Sequence, residues 1–366
     1  MENFADVVVV GGGIVGTSVA YFMSKAGLAV TLVEKERIAS GASGRNGGGY
    51  RQSARALPEM PLAVASIAMA PRLWGELGGD VEYVRKGNLR IAESERELEA
   101  MAEYVPKQQA AGLKEVRLVT RQEALEIAPA LAPDRVFGGT FCSTDGHINP
   151  MRACVALADG AQRLEARILT QTAVTSIEIA KGKVTAVHTT AGRIATRYII
   201  NAAGAGSIAI AAMAGLHMPA RATRHQIMLT EKVSPLFQVM FGVASASIYW
   251  RQTASGNVLF GGSSDGADGV EVGWPPVAPV SDHLLQLVPS LRDTRMMRVW
   301  VGQDATTPDH LPIIGPAREL EGFIYASGYS GHGVPLGPIT GRLLTELIVG
   351  GKPSLPFSGL EPDRFN

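Results

Sequence analysis

Gly11-Gly12-Gly13-Ile14-Val15-Gly16 fits the spacing G-x-G-x-x-G, and an acid, Glu34, lies further on. Each residue type has a physical use. Gly11 permits a tight turn. Gly13 leaves backbone N–H groups open to a pyrophosphate, and Gly16 lets a helix pack close to a strand. A helix starting at Ile14 and Val15 brings a partial positive charge to the same anion. Glu34 can accept hydrogen bonds from both hydroxyls of a ribose, and it would repel a 2′-phosphate. The glycine spacing alone is a weak signal, so the flanking elements decide.

Those elements are legible. Asp6-Val7-Val8-Val9-Val10 reads as a strand of a parallel sheet buried on both faces. Residues 17–26 continue as a helix that Gly27 stops, and 29–33 form a second strand ending at Glu34. A complete βαβ unit predicts a dinucleotide site.

The next stretch, 35–49, is rich in small residues and suits a loop whose backbone approaches a flat ligand. Lys35 opens it. Ser43, Arg45 and Asn46 supply donors, and Gly47, Gly48 and Gly49 supply bare backbone. Arg51 and Arg55 then open a helical pattern, where a guanidinium could grip a carboxylate with two parallel bonds. Asp145-Gly146-His147 reads as a turn before a helix at 151–165, with His147 either facing the site or ordering the turn. Tyr249 and Arg251 fall on one face of a strand, a pairing that can line a carboxylate pocket or serve as ordinary surface. Near the end, Gly328-Tyr329-Ser330-Gly331-His332-Gly333-Val334 is a second glycine loop, running into a helix at 339–349 with Pro338 near its first turn. That device suits a delocalised anion such as a reduced flavin ring, which predicts FAD.

Bulk properties bound the rest. A chain of 366 residues is too long for one ordinary core, so two domains are expected. Lysine plus arginine and aspartate plus glutamate balance at 34 each, which excludes a basic nucleic-acid stripe. No apolar stretch is long enough to cross a membrane. The first strand begins near residue 5, leaving no room for a signal peptide. Cys142 and Cys154 form no metal or redox motif, so no metal site is expected. They read as buried thiols in a reducing cytoplasm.

The remaining pattern predicts a hairpin over 81–92 with Gly87-Asn88 near its turn, and helices at 93–111 and 120–128. Thr120 and Glu123 make a capping box for the second helix. Strands follow at 137–141, 166–174, 184–189 and 193–200, with Lys181-Gly182-Lys183 as a turn. The run from Tyr198 into Asn201-Ala202-Ala203-Gly204 returns to the nucleotide sheet. Strands at 226–230, 248–252 and 258–262 suggest a separate antiparallel sheet. The expected class is α/β: a discontinuous Rossmann-like FAD-binding domain (1–80, 143–215 and 302–366) with an inserted α+β antiparallel-sheet substrate domain (81–142 and 216–301).

Taken together, the nucleotide unit, the loop Gly41-Ala42-Ser43-Gly44-Arg45-Asn46-Gly47-Gly48-Gly49, Thr307-Pro308-Asp309 with Leu311-Pro312-Ile313-Ile314-Gly315, and the loop 328–333 resemble the FAD-dependent D-amino-acid oxidase superfamily. The resemblance spans nearly the whole chain and lies with the glycine and sarcosine oxidase branch. It is strongest to β subunits of heteromeric amine, opine and proline dehydrogenases and of sarcosine oxidase. It implies oxidation of a C–N bond in a small amino acid, N-alkyl amino acid or opine, by hydride transfer to flavin N5, giving an imine that hydrolyses. Arg51, Arg55 or Arg251, with Tyr249, would hold the carboxylate, with His147, His225 and His332 as auxiliaries, and His332 serving the flavin. Val174, Ala203 and Gly204 join the cofactor contacts. Partner subunits are implied, with any FMN or iron–sulfur cluster in or at them. Two departures matter. Val301-Gly302-Gln303-Asp304-Ala305 lacks the cysteine that attaches flavin in monomeric sarcosine oxidases, so FAD should be non-covalent. Gly262-Ser263-Ser264-Asp265 lacks the lysine that assists oxygen there, which favours a dehydrogenase. Competing readings are an oxidase acting alone with oxygen, an NAD-dependent dehydrogenase, and a subunit that holds FAD only for assembly.

Overall fold

The computed structural model describes residues 4–244, 248–262 and 274–365, and the segment expected to lack an oxygen-assisting lysine lies mostly outside them. The chain begins β1 (Phe4–Val10), α1 (Ile14–Lys25), β2 (Val30–Val33), β3 (Gly49–Tyr50), α2 (Met60–Leu77), β4 (Asn88–Ala92), α3 (Glu95–Ala110), β5 (Val116–Thr120) and α4 (Arg121–Ile127). It continues with β6 (Gly138–Cys142), β7 (Gly146–His147), α5 (Pro150–Arg163), β8 (Arg167–Leu169), β9 (Val174–Ala180), β10 (Lys183–Thr189), β11 (Gly192–Asn201) and α6 (Ser207–Met213). Then come β12 (Arg221–Lys232), β13 (Met240–Val243), β14 (Ile248–Gln252), β15 (Asn257–Gly262), α7 (Trp274–Leu287), β16 (Met296–Thr306), β17 (Ile313–Pro316), β18 (Phe323–Ser327) and α8 (Gly333–Gly350).

One sheet runs β17-β18-β11-β1-β2-β8, with β10 and β9 extending from β11. Its strands from β18 to β8 are parallel, as the unbroken valine run requires. Val7 and Val9 enter one apolar cluster with α1, α2, α5 and α8, whereas Val8 and Val10 enter another with α6. The return strand pairs in parallel with the first, Val10 opposite Asn201. This is the Rossmann-like α/β sheet that the sequence predicts.

The second sheet runs β16-β12-β15-β14-β13-β4-β6-β5. It is antiparallel except for β13 and β4, which pair in parallel. One face, with Leu89, Phe241, Trp250 and Phe260, packs into a core with α4 and α7. The other face carries Asn88, Arg90, Met240, Tyr249 and Arg251 and turns toward residues 47–55. There Asn88 Nδ2 donates to Ser53 Oγ at 3.2 Å, and Arg251 Nε donates to the Gly47 carbonyl at 2.7 Å.

Four local expectations need correction. The helical pattern does not open at Arg51. Ala54 takes a positive φ of 52°, and α2 starts at Met60, with Pro61 in its first turn. No hairpin forms over 81–92. Gly87 (φ 107°) redirects the chain, Val84 only bridges to His147, and β4 pairs elsewhere. The strand at 166–174 is two strands, broken where Gln171 takes a φ of 51°. The last helix begins at Gly333 rather than after Pro338, with Pro335 in its first turn and Pro338 inside it. The capping box on α4 forms as expected.

Candidate functional site

The βαβ unit opens into a cleft of about 390 Å³ lined by two loops and two helix starts. The N-cap residue of α1, Gly13, has no side chain to cap the helix, and Gly13, Ile14 and Val15 line the cleft there. Close packing holds that terminus in place. A Cβ on Gly16 would collide with the Gly11 carbonyl, and one on Gly13 would lie 2.9 Å from Ser43 Oγ. Ser43 Oγ accepts from Ile14 N–H at 2.9 Å, which ties the loop to the helix. Glu34 is 9% exposed. Its oxygens accept from Gly12 N–H at 2.7 Å and Glu36 N–H at 2.8 Å, so the carboxylate is already oriented. Asn46 folds its own loop, donating to the Ala42 and Ser43 carbonyls and accepting from Gly48 N–H.

At the far end, α8 also starts without a side-chain cap or an acid in its first turn. Ser330 sits at a φ of 51° in the loop before it. Its N–H donates to the Ala305 carbonyl at 3.1 Å, and its Oγ accepts from Thr307 N–H at 3.2 Å. Asp304 fixes the same loop, accepting from the N–H groups of Gly331 and Ala305. Burial pushes the Asp304 carboxyl up against the pull of those donors. Sequence reading noticed this segment only for its missing cysteine and missed Asp304.

The cleft is lined by Gly11, Gly13, Ile14, Val15, Glu34, Lys35, Ser43, Arg45, Asn46, Ala203, Gly204, Gly328, Gly331, Gly333 and Val334. The other expected cofactor residues stand behind that wall. Gly16 packs against Gly11, and Gly47 lies under the Tyr249 ring. Gly48 turns the chain with a φ of 72°, and Ser330 holds Thr307. Val174 pairs with Thr189 and packs against the cluster that holds Val8, Val10 and α6. Nearby, Thr172 meets Glu34: its N–H donates to the Glu34 carbonyl at 2.9 Å.

The expected substrate residues gather around the 47–55 segment. Tyr249 touches Gly47, and burial pushes its phenol up to about 12. Burial lowers Arg251 to about 10, still charged at neutral pH. His147 is 7% exposed, and among the described residues its Nδ1 has no hydrogen-bond partner. Burial, with the Arg251 charge beside it, lowers His147 to about 3 and keeps the ring neutral. His225 lies on β12, its Nε2 3.5 Å from Thr223 Oγ1. Behind these lies a charged network whose acids the sequence did not disclose. Glu59, fully buried, accepts from His332 Nδ1 at 3.0 Å. Burial lowers His332 to about 4, with Arg55 pushing the same way, so the neutral ring carries its proton on Nδ1. The hydrogen bond from His332 and the charges of Arg55 and Arg51 outweigh burial and hold Glu59 low. Asp145 accepts from Gln52 N–H at 2.7 Å, and its charge acts on Arg51. Arg55 is 3% exposed, and among the described residues its guanidinium bonds only the Arg51 carbonyl, with Nη1 unpartnered.

An acid oriented for a ribose, two uncapped helix starts and a wall of bare glycine backbone fit an extended dinucleotide with a flat ring, as FAD is. The fold and cleft therefore define a flavin-binding oxidoreductase. The family description "FAD dependent oxidoreductase" (DAO) matches residues 6–347, and the chain belongs to that family. It is similar to L-proline dehydrogenase from P. horikoshii, at 30% identity and a TM-score of 0.95, covering 100% of this chain and 98% of that one. It is 28% identical over 391 residues to the mitochondrial sarcosine dehydrogenase of Homo sapiens, covering 100% of this chain but 42% of that protein. It therefore spans less than half the length of that relative. It is also 28% identical over 393 residues to hydrogen cyanide synthase subunit HcnC of Pseudomonas aeruginosa, covering 95% of this chain and 93% of that one. Among the described residues, no helix is long and apolar enough to cross a membrane, and no cluster of side chains could hold a metal.

Proposed function

We propose that this chain oxidises the C–N bond of a small amino acid or N-substituted amino acid, as the catalytic β-type subunit of a heteromeric dehydrogenase or oxidase. One observation carries the reading. The cationic face of the second sheet closes on the same loop, 41–50, that walls the dinucleotide cleft, with Arg251 bonded to Gly47. When bound, FAD supplies the acceptor for the hydride that leaves carbon. The chain supplies position. Arg251 and Tyr249, with Arg51 beyond them, hold a carboxylate against the loop. Neutral His147 orders that corner and offers its unpartnered Nδ1. His332, clamped by Glu59, fixes the start of α8 beside the flavin rather than moving a proton. The remaining cofactor residues, from Gly11 to Val334, serve as binding wall or as support behind it.

On this reading residues 1–80, 143–215 and 302–366 form the cofactor domain, and 81–142 with 216–301 form the substrate domain. FAD is held without a covalent bond, a reading supported by the absence of a cysteine in Val301-Gly302-Gln303-Asp304-Ala305. Cys142 and Cys154, both free and buried, support a cytoplasmic setting. The heteromeric role is supported by the relative named as a synthase subunit. The test is an anaerobic bleaching screen of the yellow protein, alone and with co-purifying subunits, against D-amino acids, sarcosine, proline derivatives and opines. One class should bleach the flavin, and heat should release it intact. Peroxide formed in air with that substrate would mark an oxidase, and none a dehydrogenase. Flavin that no such compound reduces, in any assembly, overturns the reading.

A further inference from the structure

The sheet face shared by Tyr249 and Arg251 continues across two more strands. Tyr249 pairs with Gly242, Gly242 with Arg90, and Arg90 with Thr140. Cross-strand partners share a face, so one row presents a phenol, a gap, a guanidinium and a hydroxyl. Gly242 puts nothing between the two large side chains, and even a Cβ there would stop 3.8 Å from Arg90 Nη1. With strands about 4.8 Å apart, the Arg90 backbone stands about 10 Å from that of Tyr249.

Arg90 is poorly satisfied by the protein. Among the described residues it makes one hydrogen bond, to the Ala244 carbonyl at 3.4 Å, and no ion pair. Glu97 attracts it, but that carboxylate is turned to the Glu93 N–H at 2.7 Å. Arg90 lines a pocket of about 300 Å³ with Ala54, Glu97, Met101, Tyr104, Gln108 and Thr140. The tyrosine and glutamine are already engaged: Tyr104 donates to the Arg55 carbonyl at 2.7 Å, and Gln108 Oε1 accepts from Ala54 N–H at 2.8 Å. What the pocket offers a ligand is apolar wall, the Thr140 hydroxyl and one guanidinium, with the Glu97 carboxylate on its rim already accepting from Glu93 N–H. Burial and the like charge of Arg51 lower Arg90 to about 10, which leaves it cationic at neutral pH.

We infer that the substrate carries a second carboxylate, on the arm remote from the oxidised C–N bond, and that Arg90 receives it. This rests on the amine-oxidising reading above and narrows it to secondary amines with an acid on each arm. A half-buried guanidinium facing a largely apolar pocket binds an anion with charge-assisted hydrogen bonds and discriminates against an uncharged arm.

The test uses the FAD-loaded protein with compounds matched in pairs: iminodiacetate against sarcosine for reduction, and oxydiacetate against methoxyacetate for binding without chemistry. Binding is read from the shift of the flavin visible spectrum. The diacid of each pair should bind more tightly. Arg90→Gln should weaken the diacids about 10-fold or more, the loss of a charged hydrogen bond, while leaving the monoacids and the flavin content unchanged. Arg90→Lys should restore part of the diacid affinity. If oxydiacetate binds through Arg90 but neither amine is oxidised, this inference stands and the proposed reaction fails. Diacids bound no better than monoacids, or weakened equally with them by Arg90→Gln, would overturn it.

Discussion

Asp304 shows how one side chain can set a loop. Both of its oxygens accept backbone N–H groups, one of them from Gly331 in the loop that closes the cleft. Asparagine has the same shape but turns a donor toward one of those N–H groups. Losing a hydrogen bond to a charged group costs about 1.5–3 kcal/mol. Asp304→Asn should therefore loosen the 328–331 loop and weaken FAD retention about 10-fold, as a flavin-release titration would measure. Unchanged retention would mean the loop is held by its Ser330 contacts alone. At this scale the sequence was half legible. Gly11, Gly13, Glu34 and Ser43 announce themselves because their chemistry is local to a motif. Glu59, Asp145 and Asp304 do not, because each gains its meaning from a partner far along the chain, and no spacing encodes that.

Elements were easier to read where they obey a period and harder where a single residue breaks one. The valine strand, the return strand and the α4 capping box follow from pattern alone. The break at Gln171, the turn at Ala54 and the start of α8 depend on backbone angles that tertiary packing imposes. The α1–α8 crossing is the element on which the cleft depends most. A Cβ on Gly341 would sit 2.6 Å from the Ser18 backbone carbon, and one on Gly337 would sit 3.2 Å from Ile14. Those glycines let two backbones touch and so fix the two uncapped helix starts relative to each other. Gly341→Ala should force the helices apart, destabilise the fold by about 1–3 kcal/mol, and lower FAD affinity in step. Chemical denaturation of the apo- and holo-protein separates the two effects. An alanine variant with native stability would show that the crossing has slack.

Two neutral histidines, buried His147 and half-buried His332, shape the acid response of the molecule as a whole. His147 and His332 sit at about 3 and about 4 in the folded chain, below the ordinary value of 6.5. The unfolded chain takes up those protons first. Their stabilising share is therefore complete above about pH 6.5 and drains away as pH falls toward the folded values, by about 1.4 kcal/mol per pH unit for each ring. The stability gap between wild type and His147→Gln should shrink steadily from pH 6.5 downward in denaturant titrations. Parallel curves would mean that His147 titrates normally.

The hydrogen bond from Arg251 to the Gly47 carbonyl has a consequence for how substrate preference can change. That arginine is also a tether, so altering it to admit a new acid would slacken the loop that grips the flavin, and selectivity would be gained only by losing cofactor. Arg90 sits two strands away with no such tie to the loop. Lineages that diverge in substrate while keeping their flavin would be expected to vary at the outer end of this row and hold its inner end fixed.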